Sequence, residues 1–386
     1  MAVPLEDCRV LIVDDNPFTQ KSLALVIRRA GCQSIEFAAD GAEALAKVER
    51  FRPDLILLDV DMPVMDGLTL CRRLRADPAH AELPILFQTA LDSDEEQVRC
   101  FEAGGSDFIS KPIRPGECVA RVRHHLEKRK LFNDLARFRQ RVENELRHAR
   151  AMQLSLLPEP KLLADVGGHY GLSIAPHFET SSELGGDFWT VLPVDERRVG
   201  FLIVDFAGHG ITAAINTFRL HTLIDRIPVP GRTPAGWLAL LNEALKEVLP
   251  VGQFATAFFG IIDTVADTLT YAGAGAPNPF AGRRGQGDLV RLDSSGLVLG
   301  VSRKAQYTDR TVPFPPGAFL FLYSDALVEA RAADDGSFGH DGVEALARNA
   351  AVARPDAPLH AVLEGFFARI PRPLTDDLTA LWISRP

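Results

Sequence analysis

The chain has no long hydrophobic run. Its apolar runs, such as Leu55–Leu58 and Ala318–Tyr323, fall far short of the roughly 20 residues that span a bilayer, so no membrane partner is expected. The opening MAVPLEDCRVLIV carries acids in its apolar stretch and no basic start, so it does not read as a signal peptide. The expected location is the cytoplasm. Cysteine is scarce: Cys8, Cys32, Cys71, Cys100 and Cys118 all lie in the first third, and none forms a CxxC pair. An odd, scattered set excludes a disulfide frame and a zinc ribbon. Positive charge is in deficit, with a formal net charge of −9, which disfavours nucleic acid as a partner. No helix-turn-helix pattern or basic recognition helix appears in the C-terminal part. A P-loop, an HExxH motif, a Ser–His–Asp order, internal repeats and low-complexity tracts are likewise missing.

What is present is ordinary globular material: 386 residues, 46% hydrophobic and 24% charged, enough for two or three domains. Residues 1–120 alternate short apolar runs (Arg9–Val13, Ser34–Ala38, Leu55–Asp59, Ile85–Thr89, Asp107–Ile109) with helical stretches. That alternation predicts a five-stranded, doubly wound parallel α/β sheet. Residues 121–157 have almost no Gly or Pro. Leu131, Leu135, Phe138, Val142, Ala149, Met152 and Leu156 recur there at spacings of three and four, predicting one long amphipathic helix. Glu145 interrupts the seam. A helix packed on its own domains and a homodimerising coiled coil both fit. Residues 158–386 show short alternating strands, Gly-rich turns and a few helices, predicting an α+β domain with mainly antiparallel strands.

In a parallel sheet, residues after successive strands share one edge. Asp14 and Asp15 follow the first strand, Asp59 ends the third, and Lys111 follows the fifth. Three neighbouring carboxylates repel one another and call for a divalent cation. Magnesium suits them because it also takes phosphate oxygens, and lysine supplies a point charge for phosphate. Thr89 can add a hydroxyl to the same oxygens. Singly each is weak, since an Asp pair after a strand is often a helix cap. Together VDDN, LLDVDMPVMDGL, FQTALD and FISKP resemble the receiver domain of response regulators, the CheY-like family. The resemblance implies that Asp59 accepts a phosphoryl group from a histidine kinase, with Asp14 and Asp15 helping to hold Mg2+. It also implies that Lys111 and Thr89 contact the phosphoryl group, and that Phe108 repacks as Thr89 moves.

Four acids stand out in the C-terminal part: Asp187 in GGDFW, Asp205 in VDFAGHG, Asp325 in LYSDALVEA and Asp376 in TDDLTAL. Taken singly each reads as a turn or a cap. As an ordered set without His or Cys partners they suggest Mg2+ or Mn2+ ligation, and two such ions activate water for in-line attack on phosphorus. The set resembles the PPM family of metal-dependent Ser/Thr phosphatases, in its bacterial SpoIIE/RsbU group. AMQLSLLP, FATAFFG, YAGAGAPNPF and GLVLG support it. The resemblance implies a β-sandwich flanked by helices and two Mn2+ or Mg2+ ions. Asp205 would bridge both ions with the Phe206 carbonyl beside it, and Asp187, Asp325 and Asp376 would complete the set. Asp377 is the alternative to Asp376 if the register slips by one. His209, next to Asp205, is a structural residue or an aid to protonation. Two positions depart from the family pattern: Ala326 where Gly is usual, and Ala276 where a His is frequent. GGDFW also looks like the GGDEF string of diguanylate cyclases, but Phe188 stands where those enzymes carry Glu.

The expected whole is a two-component output protein. A kinase modifies Asp59, the helix passes the change on, and the phosphatase acts on phosphoserine or phosphothreonine. By resemblance the substrate is a phosphorylated STAS-domain anti-sigma-factor antagonist. The competing expectation is a catalytically weak, phosphatase-like protein that sequesters its partner under receiver control.

Overall fold

The computed structural model describes residues 6–90, 94–208, 210–331 and 338–386. It divides into two compact units, Met1–Val142 and Glu143–Pro386.

The first unit is built from β1 (Arg9–Val13), α1 (Pro17–Arg29), β2 (Ser34–Ala38), α2 (Gly41–Phe51), β3 (Leu55–Asp59), α3 (Gly67–Ala76), β4 (Ile85–Ala90), α4 (Asp94–Glu102) and β5 (Asp107–Lys111). A long helix, α5 (Pro115–Leu154), follows. The sheet runs β2-β1-β3-β4-β5, all parallel. The doubly wound expectation therefore holds. Both faces are covered, which is why β3 reads LILLD with every residue buried. One face packs Leu11, Ile56, Leu58 and Phe87 against α2, α3 and α4. The other packs Val10, Ile12, Leu57 and Leu86 against α1 and the start of α5. Cys118, Val122 and Leu126 of α5 are fully buried in that second core. A boundary at residue 120 thus passes through the first unit's own packing. The amphipathic spacing cannot reveal this, because it has the same period whether a helix buries its stripe at home or offers it elsewhere.

The second unit contains α6 (Pro160–Tyr170), β6 (Ser173–Glu179), β7 (Asp187–Pro193), β8 (Arg198–Phe206), α7 (Ile211–Arg226), α8 (Pro234–Val248), β9 (Ala255–Asp263), β10 (Thr268–Ala274), β11 (Phe280–Arg283), β12 (Leu289–Arg291), β13 (Arg310–Pro313), β14 (Ala318–Tyr323), α9 (Ala326–Glu329), α10 (Gly339–Ala353), α11 (Pro358–Phe367) and β15 (Leu378–Ser384). Two antiparallel sheets, β13-β10-β9-β8-β7 and β12-β11-β14-β15-β6, face each other. Phe201, Ile203, Phe258 and Tyr271 of the first interdigitate with Leu320, Leu322, Leu381 and Ile383 of the second. Helices α7 and α8 cover one outer face through Leu220, Trp237 and Leu241. Helices α9, α10 and α11 cover the other through Val343, Ala347 and Phe366. A strand such as β8 is covered on both sides, and seven of its nine residues are buried. Each large apolar side chain so buried contributes about 1.5–3 kcal/mol. The result is the helix-flanked β-sandwich anticipated from the sequence. No helix among the described residues is long and apolar enough to cross a membrane.

Candidate functional site

In the first unit the parallel register gathers the expected residues on one edge. Asp59, 6% exposed, ends β3. Its Oδ1 accepts the Lys111 ammonium at 2.5 Å and the Val60 N–H at 2.9 Å. Carboxylate oxygens of Asp14, Asp15 and Asp59 lie within 4.8 Å of one another. Asp14 accepts the Asn16 N–H at 2.8 Å through Oδ1, while its buried Oδ2 has no partner. Burial, reinforced by the Asp59 charge and opposed by the Asn16 N–H, holds the Asp14 carboxyl above the ordinary range. A buried, orphaned carboxylate oxygen among three acids and one lysine fits a hard divalent cation.

Local chemistry builds this edge. A Cβ at Gly67 would come 2.1 Å from the Asp59 carbonyl oxygen, so only glycine lets α3 begin there. Asp66 caps that helix, accepting the Thr69 N–H at 2.6 Å. The structure turns Thr89 toward α4 instead, where its hydroxyl donates to Glu96 Oε2 at 2.6 Å. Phe108 is half-buried, edge-on to Phe101 at 6.1 Å and 5.2 Å from the Arg121 guanidinium.

In the second unit Asp187 of β7 pairs across the ladder with Asp205 of β8. Asp325 begins α9 directly after β14, and Asp376 precedes β15. The four come from distant stretches of chain yet feel one another. Burial first, then the charges of Asp187, Asp325 and Asp376, push the Asp205 carboxyl up to about 10. Burial, then Asp376 and Glu329, raise Asp325 to about 6. Asp187 is buried and lies well above the usual carboxylate range, mainly from burial, although the Thr379 hydroxyl donates to its Oδ2 at 2.6 Å. The cluster is wider than the first unit's trio: no three of these acids bring oxygens all within 4.8 Å of one another. Four carboxylates, one buried and three partly buried, that raise one another's pKa values form a charge set that divalent cations satisfy. The Phe206 carbonyl faces the glycine turn, its oxygen 2.9 Å from where a Gly186 Cβ would sit.

Asp376 and Asp377 separate cleanly. Asp377 accepts the Ser181 N–H at 2.7 Å, the Ser181 hydroxyl at 3.0 Å and the Gly186 N–H at 2.6 Å. It clasps the turn before Asp187, while Asp376 acts on Asp205 and Asp325. A Cβ at Gly185 would stand 2.7 Å from Asp377 Oδ2, so the glycine in GGD is what allows this clasp. His209 lies outside the described residues. Ala276 borders a cavity beside Asp325, and Ala326 is buried against α10 and α11.

Two polar residues went unnoticed in the sequence. Thr379 orients Asp187, and Gln153, near the end of α5, is 3% exposed. The Gln153 side-chain amide donates to the Gly185 carbonyl at 2.6 Å and to Thr217 Oγ1 at 3.2 Å, and it accepts the Gly185 N–H at 3.2 Å. The available signal was a polar residue inside the otherwise apolar AMQLSLLP string.

Fold and sites together define a two-module chain: a doubly wound parallel sheet with an acidic edge, followed by a β-sandwich that carries a cluster of four aspartates. Residues 10–123 match the family model of the response regulator receiver domain, and residues 195–386 match that of stage II sporulation protein E (SpoIIE). The chain thus joins a receiver domain of the response regulator family to a SpoIIE-type domain with the PP2C fold. It is 33% identical over 154 residues to the DNA-binding dual master transcriptional regulator RpaA of Synechocystis (39% of this chain, 59% of RpaA). It is 41% identical over 120 residues to the DNA-binding response regulator MtrA of Mycolicibacterium smegmatis (31% of this chain, 51% of MtrA). The chain thus spans a little over half the length of these curated relatives. In fold it is similar to the SiaA-PP2C domain of Pseudomonas aeruginosa, with a TM-score of 0.57 at 23% identity, covering 64% of this chain and 98% of that one. It also resembles the PP2C phosphatase domain of SpoIIE from Bacillus subtilis, with a TM-score of 0.50 at 16% identity, covering 56% and 63% of the two chains.

Proposed function

We propose that the chain hydrolyses phosphoserine or phosphothreonine on a protein, under control of phosphorylation at Asp59. The observation that supports this is the mutual electrostatic influence of Asp187, Asp205, Asp325 and Asp376 at one partly buried end of the sandwich. Asp187, Asp205, Asp325 and Asp376, with the Phe206 carbonyl beside Asp205, would hold two Mn2+ or Mg2+ ions. Bound there, the ions would supply an activated water and offset the charge of the phosphoryl group. The chain's own contribution is positional. Thr379 fixes the Asp187 carboxylate. Asp377 and Gln153 together hold the Gly185–Gly186 turn from which Asp187 emerges. Partial burial of Asp205, Asp325 and Asp376 and full burial of Asp187 strengthen the charge interactions among them relative to water.

At the receiver, Asp59 is the phosphoacceptor for a histidine kinase, with Mg2+ held by Asp14, Asp15 and Asp59. Lys111 lies ready to meet the phosphoryl oxygens, and Thr89 leaves Glu96 to join it, with Phe108 following. Three modules would serve this route: a receiver that includes the buried start of α5, the exposed middle of α5 as connector, and a phosphatase domain that takes in the end of α5 and runs to residue 386. The exposed Leu131, Leu135 and Phe138 of α5 support homodimerisation through that helix. Family resemblance supports a phosphorylated STAS-domain antagonist as substrate, a cytoplasmic setting, and no role for nucleic acid or membrane.

Phosphate release from a phosphoserine protein with Mn2+, for wild type and Asp205→Ala, tests the reading. Metal-dependent release that vanishes in the variant supports it. No release from any phosphoprotein, a phosphorylated STAS domain included, would favour the sequestering protein instead.

A further inference from the structure

A cavity of about 300 Å³ opens beside the carboxylate ring, sharing Asp325 as a wall. Its other lining includes Thr256, Ala276, Asn278, Glu329 and His340, and among the described residues no lysine or arginine borders it. The wall is firm. The Asn278 side-chain oxygen accepts the Ser294 N–H at 2.9 Å, and its carbonyl accepts the Tyr323 hydroxyl at 2.6 Å. Two polar groups in it are unspent. Glu329 is exposed and makes no ion pair among the described residues, although its charge reaches Asp325. His340, near the start of α10, has a buried Nδ1 with no partner. With cations in the ring, Asp325 would be neutralised and Glu329 would remain a negative charge among the described lining residues.

We propose that this cavity is a substrate subsite that receives a residue flanking the phosphorylated serine or threonine, with Glu329 selecting a cationic side chain and His340 shaping the wall against which the peptide rests. The inference rests on the phosphatase reading and adds a sequence preference to it. Geometry limits the occupant. A phosphoryl group held at the ring places its own peptide backbone near the rim, and a cavity sharing Asp325 is within reach of an adjacent side chain. Charge then decides which side chain. A lysine or arginine gains a partner in Glu329, whereas an acidic one meets repulsion from it.

The experiment uses the full chain with Mn2+ and two kinds of substrate. p-Nitrophenyl phosphate, which has no flanking residue, reports whether the carboxylate ring turns over. Phosphoserine peptides with Lys, Ala or Glu at the positions on either side report the subsite. The expected result is a kcat/KM about three- to tenfold higher for the Lys peptide than for the Ala peptide, the size expected of one half-exposed charge pair. Glu329→Gln removes that ratio and Glu329→Lys shifts it toward the Glu peptide. Each is read as a ratio within one variant, so a general loss of activity does not imitate it. His340→Ala raises KM for all three peptides about equally while kcat is retained. Turnover of p-nitrophenyl phosphate with no peptide preference, or with a preference that survives Glu329→Gln, overturns the subsite and leaves the phosphatase reading standing. No turnover of either substrate overturns both.

Discussion

Asp205 shows what a single residue contributes and what it costs. Its carboxyl is held up to about 10 by burial and by three other aspartates, and Asp325 is raised to about 6. Unfolded, both would titrate near 3.9. Without metal, the stability linked to these groups is fully present below about pH 4 and is lost as pH rises through each folded value. The metal-free protein should therefore melt at a lower temperature at pH 8 than at pH 5.5. Mn2+ should raise that temperature far more at pH 8, and equal shifts at the two pH values would contradict the reading. Asp205→Ala removes a carboxylate from the ring. It should cut phosphate release by about 100-fold or more, since such ions supply several kcal/mol of transition-state stabilisation, and excess Mn2+ should not restore it. In the receiver, Gly67→Ala forces a Cβ to within 2.1 Å of the Asp59 carbonyl. The expected cost is about 1–3 kcal/mol of receiver stability, read from urea unfolding, together with slower phosphorylation of Asp59.

At the scale of elements, α5 carries most of the information that the sequence both offered and withheld. Its heptad-like spacing was legible, and Leu131, Leu135 and Phe138 are indeed 68%, 60% and 63% exposed. The same spacing concealed that Val122 and Leu126 belong to the receiver core. It also concealed that Gln153 is bonded to the Gly185 turn, because a polar side chain off the seam looks like any solvated residue until its partner is known. The acids were legible for the opposite reason: each sits at the end of a strand or beside a Gly-rich turn, where chemistry and punctuation coincide. Helix α6, with Gly167 and Gly168 inside it, and the short strands β11 and β12 were not legible, since packing on the sandwich rather than propensity holds them. Two tests follow for α5. Gln153→Ala strips the Gly185 N–H and carbonyl of their partner and loosens the turn before Asp187. Residues that support a metal ligand typically matter 10–100-fold, so half-maximal activity should need about tenfold more Mn2+. Leu135→Asp should weaken self-association in sedimentation, and Glu145→Leu, which completes the seam, should strengthen it.

For the whole molecule, the question is whether a phosphoryl group at Asp59 changes chemistry at Asp205. The route is continuous in the chain. Lys111 and Thr89 stand at the phosphoacceptor edge, with Thr89 bonded to Glu96. Phe108 lies under Arg121, which bonds Asp107 Oδ1 at 2.6 Å and Glu117 Oε1 at 3.0 Å on α5. The far end of α5 holds Gly185 through Gln153. The proposed coupling would run through α5, whose Arg121 lies against Phe108 and whose Gln153 bonds Gly185, because coupling requires one element that both sites bias. Coupling of about 1–3 kcal/mol corresponds to a 5- to 150-fold change. Beryllofluoride at Asp59 should therefore change kcat/KM for a phosphoserine protein by a factor in that range. The effect should vanish in Asp59→Asn, which cannot carry the mimic. It should shrink in Gln153→Ala, where α5 no longer grips the turn, even after Mn2+ is raised to saturation. A response of equal size in Gln153→Ala would show that the signal travels by another path.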